Sequence, residues 1–329
     1  MIAQDWIFSN QVSFEEKALR IFEFQREKNP IFQRFCDALG VSSPRKCKEI
    51  PLLPIKAFKE AKVITANEVN PDKSLIFRSS GTSAMHRSQH FIADKEIYRE
   101  SILSGIKHFY ELDDYVIWAY TPGYNTNPNS SLVWMLNMLI ERESSGLSRF
   151  LPLNTPLDQK EIDKVVHSGK KLMVFGAAFG LMDLIEFAKI QLPNQSVILE
   201  TGGMKTHRRQ ISKEELHQQL ADGFGLPLSN IHSEYGMAEL LSQAYARGSL
   251  WFKPVSWMDI SIRDPQDPLS EMPYGEEGLI GIVDLANLYS CSFILTGDKG
   301  IQKEDKEFQV MGRWNPKNLR GCNFLIESD

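Results

Sequence analysis

The sequence predicts an α/β protein of open, mostly parallel sheets flanked by helices, with a smaller β-rich part toward the C-terminal end. Apolar runs at residues 115–120, 172–175 and 197–199 each end in a turn bearing glycine or polar residues, and a helical pattern follows them. That alternation is what a parallel sheet with helical crossovers requires. Beyond residue 250 the texture changes to shorter β-like runs at 257–262, 279–285 and 291–295, separated by Gly and Pro turns. No internal repeat or low-complexity linker interrupts the chain, so a single compact body with a short C-terminal tail is the simplest organisation.

The elements follow in order. Between residues 14 and 39, Leu19, Phe22, Phe32 and Phe35 fall at helical spacing and Pro30 interrupts them, which predicts two helices. Pro51-Leu-Leu-Pro54 stops that segment. Residues 94–109 read as a helix, 115–120 as a buried strand ending at Thr121-Pro-Gly123, 132–141 as a helix, and 172–175 as a strand closed by Gly176. A helix at 181–190 precedes the strand that runs into Thr201-Gly-Gly203. Ser212-Lys-Glu-Glu215 forms a capping box opening the next helix, with Leu216 and Leu220 on its apolar face. Ile231-His232 leads to a tight segment at Tyr235-Gly236, and a helix is expected over 237–246.

Composition bounds the function. The chain has 329 residues, 42% hydrophobic and 24% charged, enough for one substantial core and of enzyme size. A net charge of -5 argues against nucleic acid or an anionic membrane surface as partner. No stretch reads as a membrane span, and the first residues lack a secretory pattern, so a cytoplasmic location is expected. The four cysteines, Cys36, Cys47, Cys291 and Cys322, have no metal-ligand spacing and read as reduced thiols.

Four turns bear chemistry. Residues 77–83, Phe-Arg-Ser-Ser-Gly-Thr-Ser, follow the apolar pair Leu75-Ile76 and precede His86-Arg87. Backbone N–H groups around a glycine, hydroxyl donors and nearby arginines are suited to an anion such as phosphate, although such clusters are also ordinary turns. Gly202-Gly203 lets backbone approach a flat ring or simply links strand to helix. Tyr235-Gly-Met-Ala-Glu239 sets an aromatic beside a carboxylate in the first turn of the expected helix. Glu239 there could hold Mg²⁺ shared with phosphate or could merely favour a helix N-terminus. Thr296-Gly-Asp298 reads as a carboxylate on a turn closing a strand, of the kind that accepts ribose hydroxyls, and Gly312-Arg313 follows it. Trp118, Tyr120, Tyr124, Trp134 and Met135 could line an apolar channel or belong to the core.

Taken in order, these turns resemble the motifs of the adenylate-forming superfamily of acyl-CoA synthetases, luciferases and peptide-synthetase adenylation domains. More specific segments are Leu53-Pro-Ile-Lys-Ala-Phe-Lys59, Ser130-Ser-Leu-Val-Trp-Met135, Glu200-Thr-Gly-Gly-Met-Lys205, Tyr235 through Ser242-Gln243, and Asp284-Leu-Ala-Asn287. These look like the acyl-protein synthetase (LuxE-type) family, the fatty-acid-activating component of bacterial fatty-acid reductase systems, from about residue 50 to the end. The resemblance implies the large domain of an adenylate-forming enzyme, with the C-terminal mobile domain absent or reduced to a tail. It divides the chain into a core over 1–312, with a helical leader over 1–76, and a tail over 313–329 carrying Cys322.

The resemblance also implies roles. Ser79, Ser80, Gly81, Thr82 and Ser83 would grip the phosphates of ATP; Gly202, Gly203, Tyr235 and Gly236 would flank adenine; Glu239 would hold Mg²⁺; Asp298 would bind ribose, with Arg313 as the arginine that follows it. Cys322, close to the C-terminal end, matches the cysteine that such synthetases acylate before delivering the acyl group to a reductase partner. A thiolate is a suitable nucleophile for a mixed anhydride, and Arg320 nearby favours its formation. Three departures stand out. Ala84 replaces a glycine of the phosphate loop, Ala238 replaces the threonine that usually precedes the glutamate, and the small domain with its catalytic lysine is expected to be missing or reduced to a tail, with Lys205 as the candidate substitute for that lysine.

The expected reaction is ATP-dependent activation of a small carboxylic acid, fatty in type, followed by transfer to Cys322 and a protein partner. A carboxylate–CoA ligase and a non-catalytic subunit binding nucleotide or partner are the alternatives. Acid chain length, partner and oligomeric state are not legible.

Overall fold

The computed structural model describes residues 4–65, 74–79, 87–121, 127–188, 190–202 and 211–314. A short helix α1 (Gln4–Phe8) precedes α2 (Phe14–Lys28) and α3 (Pro30–Ala38). Asn29 makes the break between the two longer helices. It ends α2, and its Oδ1 accepts from the backbone N–H groups of Ile31 and Phe32 at 3.0 and 3.1 Å, capping α3 with Pro30 at its start. A strand β1 (Leu53–Pro54), one helical turn α4 (Ala57–Glu60) and the strands β2 (Leu75–Arg78) and β3 (Gln89–Ile92) follow.

The predicted alternation then runs as α5 (Lys95–Lys107), β4 (Tyr115–Tyr120), α6 (Ser131–Arg142), β5 (Arg149–Phe150), α7 (Gln159–His167), β6 (Lys171–Ala177), α8 (Ala178–Ala188), β7 (Val197–Thr201), α9 (Lys213–Phe224) and β8 (Ile231–Tyr235). Side-chain caps start most of these helices: Asp94 for α5, Ser130 for α6, Asp158 for α7 and Ser212 for α9. The C-terminal part is β-rich, with β9 (Ala244–Arg247), β10 (Lys253–Pro254), β11 (Met258–Arg263), β12 (Gly278–Asp284), β13 (Phe293–Gln302) and β14 (Phe308–Arg313).

Among the described residues the strands form two sheets and a hairpin. One sheet has the order β10-β9-β8-β7-β6-β4-β5; β5, β4, β6, β7 and β8 are parallel, while β9 and β10 close one edge antiparallel. The second has the order β1-β13-β12-β11 with β14 added on β13, antiparallel except where β1 joins β13. Strands β2 and β3 pair antiparallel by themselves.

Period-2 burial on the central strands separates two cores. Val116, Trp118, Tyr120, Leu172, Val174 and Ile198 face α7, α8 and α9, whereas Ile117, Ala119, Met173, Phe175, Val197 and Leu199 face the larger cluster shared with the second sheet. The N-terminal helices belong to that larger core: Phe32 stacks on Phe293 at 5.6 Å, and Asn29 Nδ2 donates to Ser290 O at 2.8 Å. Trp118, Tyr120 and Met135 are core residues, and Trp134 stacks on Tyr98 at 4.9 Å. Tyr124 lies outside the described residues.

Two local expectations are corrected. Residues 237–246 do not form a helix: Leu240 N–H bonds back to Met237 O in a turn, and from Ala244 the chain is strand β9. The buried Asp284 carboxylate causes this. Its Oδ2 accepts from the N–H groups of Leu241 and Ser242 at 2.8 and 3.0 Å, and those donors are thereby lost to a helix. Thr296-Gly-Asp298 is likewise not a turn but the interior of β13, where the register with β14 shifts between Lys299 and Gly300.

Candidate active site

The described residues of the four motifs converge beyond the carboxyl ends of β7 and β8, where ligands bind in open α/β sheets. Thr201 and Glu234 are register partners across these strands, so Gly202 and Tyr235-Gly236 leave the sheet side by side. Gly202 has φ of 87°, a conformation that glycine adopts without strain. At Gly236 a Cβ would lie 2.4 Å from Glu234 Oε1, so the missing side chain leaves room for the carboxyl beneath it.

Tyr235 is buried, and its ring packs edge-on against Phe308 at 5.6 Å. Its hydroxyl donates to Asp298 Oδ2 at 3.0 Å, and Arg313 Nε lies 3.0 Å from Asp298 Oδ1. Burial and the neighbouring Asp298 carboxylate hold the Tyr235 hydroxyl protonated, well above its ordinary pKa. Strands β13 and β14 set Asp298 and Arg313 in register, although the two are far apart in sequence.

Glu239 sits in the turn after β8, not in a helix, and is buried. The Ser88 hydroxyl donates to its Oε1. Ser88 N–H in turn donates to Ser79 Oγ at 3.2 Å, and Ser79 N–H to Ser88 O at 3.2 Å, so the pair closes the hairpin that carries the Ser/Gly/Thr loop. His90 Nδ1 contacts Ala238 O at 2.8 Å, and Asn287 Nδ2 donates to Glu239 O at 2.8 Å. Burial pushes the His90 pKa down to about 4, so the ring is neutral and the nitrogen facing the carbonyl carries the proton.

A second buried network underlies the Gly202 turn. Glu200 is fully buried; Ser233 Oγ donates to its Oε1, Lys213 Nζ lies 2.5 Å from the same oxygen, and His217 Nε2 lies 3.0 Å from Ser233 Oγ. Burial opposes ionisation of Glu200, but Lys213, His217 and Ser233 together outweigh it and leave the carboxyl below its ordinary pKa. Next to it, Glu234 accepts from the Thr201 hydroxyl, and burial raises its pKa to about 7.

The structure thus brings together Ser79, Gly202, Tyr235, Gly236, Glu239, Asp298 and Arg313. Ser80, Gly81, Thr82, Ser83, Gly203, Lys205 and Cys322 lie outside the described residues. The supporting partners Ser88, His90 and Asn287, and the buried charges Glu200, Lys213 and Glu234, carried no role in the sequence. Glu200 and Asn287 fall inside quoted motifs, the only signal that could have pointed to them. Among the described residues no group of three or more His, Cys, Asp or Glu could hold a metal, and no helix is long and apolar enough to cross a membrane.

Comparison with known proteins finds relatives in sequence and in fold. The family profile of acyl-protein synthetase, LuxE, matches residues 141–329. The chain is 24% identical to a long-chain-fatty-acid–luciferin-component ligase of Aliivibrio fischeri, with 97% of this chain and 89% of that protein aligned. A protein of the same name from Vibrio harveyi is 21% identical over the same shares. In fold the chain is similar to 2-hydroxyisobutyryl-CoA ligase in an open conformation with 2-HIB-AMP and CoA, at a TM-score of 0.63 and 11% identity, covering 91% of this chain and 68% of that one. The postadenylation state of the same ligase superposes with a TM-score of 0.62 at 12% identity, covering 91% of this chain and 66% of that one.

Proposed function

The chain belongs to the acyl-protein synthetase family, and on that premise we propose that it activates a fatty-type carboxylic acid with ATP and passes the acyl group to Cys322 and then to a protein partner. One observation carries the proposal: the Ser79–Ser88–Glu239 group and the Tyr235–Asp298–Arg313 group are joined by the turn after β8, and we read the first as the phosphate-facing end and the second as the ribose-facing end. In this reading residues 79–83 cradle the phosphates, Gly202, Gly203, Tyr235 and Gly236 flank adenine, and Asp298 receives ribose hydroxyls in place of Arg313.

Glu239 is a single buried carboxylate beside hydroxyl donors, a donor set that fits Mg²⁺ shared with substrate phosphates better than a dedicated protein cage. When bound there, Mg²⁺ supplies positive charge against the phosphates. The substrate carboxylate oxygen attacks the α-phosphorus, the bond to the β-phosphate oxygen breaks, and pyrophosphate leaves. Lys205 is the proposed cation that meets the carboxylate. The Cys322 thiolate then attacks the acyl carbon, and AMP leaves as the thioester forms.

The other cysteines support Cys322 by their unsuitability. Burial raises the Cys36 thiol to about 11 and Cys47 to about 12. Cys291 is fully buried, is pushed up further by burial, and donates to Phe293 O. None of these three is a nucleophile near neutral pH.

The test is to incubate the protein with ATP, Mg²⁺ and a panel of fatty acids, follow pyrophosphate, and weigh the intact protein. An acyl adduct present in the native chain and lost in Cys322→Ser is the expected result. Pyrophosphate release with no adduct, and thioester only when CoA is added, would assign the chain to the CoA ligases instead.

A further inference from the structure

We propose that Ser88, His90 and Asn287 are positioning residues that hold Glu239 in place for the nucleotide's metal. The proposal rests on the assignment of Glu239 as the metal ligand.

A carboxylate in a turn has no regular backbone to aim it. Glu239 is nevertheless fixed at three points, two on its backbone and one on its side chain. The carbonyl before it, Ala238 O, takes the His90 Nδ1–H at 2.8 Å; its own carbonyl takes the Asn287 amide at 2.8 Å; and its Oε1 takes the Ser88 hydroxyl. The first and third partners come from one strand. Ser88 directly precedes β3 and His90 lies within it, and residues two apart on an extended chain project to the same face. Asn287 comes from the other side, at the end of the helical turn Leu285–Asn287 that follows β12.

The burial of these groups argues against an incidental arrangement. Ser88 and His90 are each 1% exposed and Asn287 is 0% exposed. His90 and Asn287 also interact with each other through their side chains, while another polar atom of each binds the Glu239 turn. An apolar residue could fill either position. What it could not do is anchor the two carbonyls that bracket Glu239.

Ser88 adds coupling. Its backbone closes the hairpin against Ser79, at the two ends of the loop assigned to phosphate, and its side chain binds the metal-facing carboxylate. The closed end of the β2–β3 pair and the aim of Glu239 therefore depend on the same residue.

The test measures metal binding apart from turnover. Mn²⁺ is titrated into the full chain with α,β-methylene ATP, and free Mn²⁺ is read by electron paramagnetic resonance. Ser88→Ala and His90→Phe are expected to weaken Mn²⁺ binding on the order of tenfold, the loss of a hydrogen bond to a charged group or of its support. Nucleotide binding in EDTA stays within twofold, and His90→Asn, which keeps a donor near Nδ1, restores metal binding. Thermal unfolding of each variant confirms that it is folded. Mn²⁺ affinity unchanged in both Ser88→Ala and His90→Phe, with Glu239→Gln abolishing it, overturns the proposal and leaves adenylation intact. Wild-type protein that takes up Mn²⁺ with nucleotide and loses it in Ser88→Ala, yet exchanges no pyrophosphate with any acid, supports the proposal and overturns adenylation. Wild-type protein that takes up no Mn²⁺ overturns the proposal together with the assignment of Glu239.

Discussion

Arg313 faces Asp298 across the β13–β14 pair, its Nε 3.0 Å from Oδ1, while the Tyr235 hydroxyl donates to Oδ2. The two partners differ in freedom. The Asp298 side chain is 10% exposed and Arg313 is 55% exposed. Asp298 N–H also bonds to Thr296 Oγ1 at 3.1 Å, which adds to its fixation. A ligand hydroxyl approaching Asp298 would therefore displace the guanidinium and leave the carboxylate where it is.

Substitution at the two positions should have unequal effects. Asp298→Asn keeps the shape but loses the charge, and the KM for ATP in pyrophosphate exchange is expected to rise at least about tenfold, the scale of one charge-assisted hydrogen bond. Arg313→Ala removes an exposed pair of small energetic value and should change stability by less than about 1 kcal/mol in denaturant unfolding. Equal ATP KM values for Asp298→Asn and wild type would remove Asp298 from the ribose site.

Glu234 makes stability depend on pH in a calculable direction. Its carboxyl has an ordinary pKa of 4.5 in the unfolded chain and about 7 when folded, raised first by burial. Its contribution is fully present below pH 4.5 and is lost as pH rises through 7, because the unfolded chain releases the proton first. Glu234→Gln keeps an acceptor for Thr201 without the titration. Relative to wild type it should be near neutral at pH 4.5 and more stable at pH 8 by on the order of 3 kcal/mol. Urea midpoints of the two proteins across that range check it, and parallel curves would refute it.

The central strands and most helices were legible because their signals are local. Tyr115–Tyr120 is a continuous apolar run, and Asp94, Ser130 and Ser212 cap helices from within a few residues. Residues 237–246 misled for the opposite reason. Met-Ala-Glu-Leu-Leu-Ser-Gln-Ala is rich in helix formers, and what overrides their propensity is Asp284, distant in sequence. The site divides in the same way. Tyr235, Glu239 and Asp298 stand in recognisable sequence motifs, whereas the parts of Ser88, His90 and Asn287 exist only through contacts between distant segments.

Asp284 should be among the most sensitive positions in the fold. Its Oδ1 accepts from Ser242 Oγ at 2.5 Å and Ala286 N–H at 3.1 Å, and its Oδ2 from the N–H groups of Leu241 and Ser242. An amide at this position must turn an NH₂ toward at least one backbone N–H. Asp284→Asn is expected to cost about 2–4 kcal/mol in denaturant unfolding, since it leaves buried donors unpaired. It should also depress pyrophosphate exchange in the folded population by releasing the Glu239 turn. A stability loss below about 1 kcal/mol would mean that the turn is held by other contacts.

The cysteines provide a test whose first step needs no substrate. Burial dominates the upward shift of Cys36 to about 11 and of Cys47 to about 12, and Asp259 and Glu15 reinforce the latter by like-charge repulsion of the thiolate. Cys291 is fully buried. At pH 7.5 a thiol with such a pKa exposes on the order of one thiolate in several thousand or fewer, whereas an unperturbed thiol exposes about one in ten. Iodoacetamide at that pH should therefore alkylate Cys322 first, at least about a hundredfold faster than the other three, with the order read by peptide mass after a brief pulse. Pre-incubation with ATP, Mg²⁺ and the cognate acid should protect Cys322, and hydroxylamine, which cleaves thioesters, should restore its labelling. Early alkylation of Cys36, Cys47 or Cys291, or protection that survives hydroxylamine, would break the assignment of Cys322 as the acyl carrier.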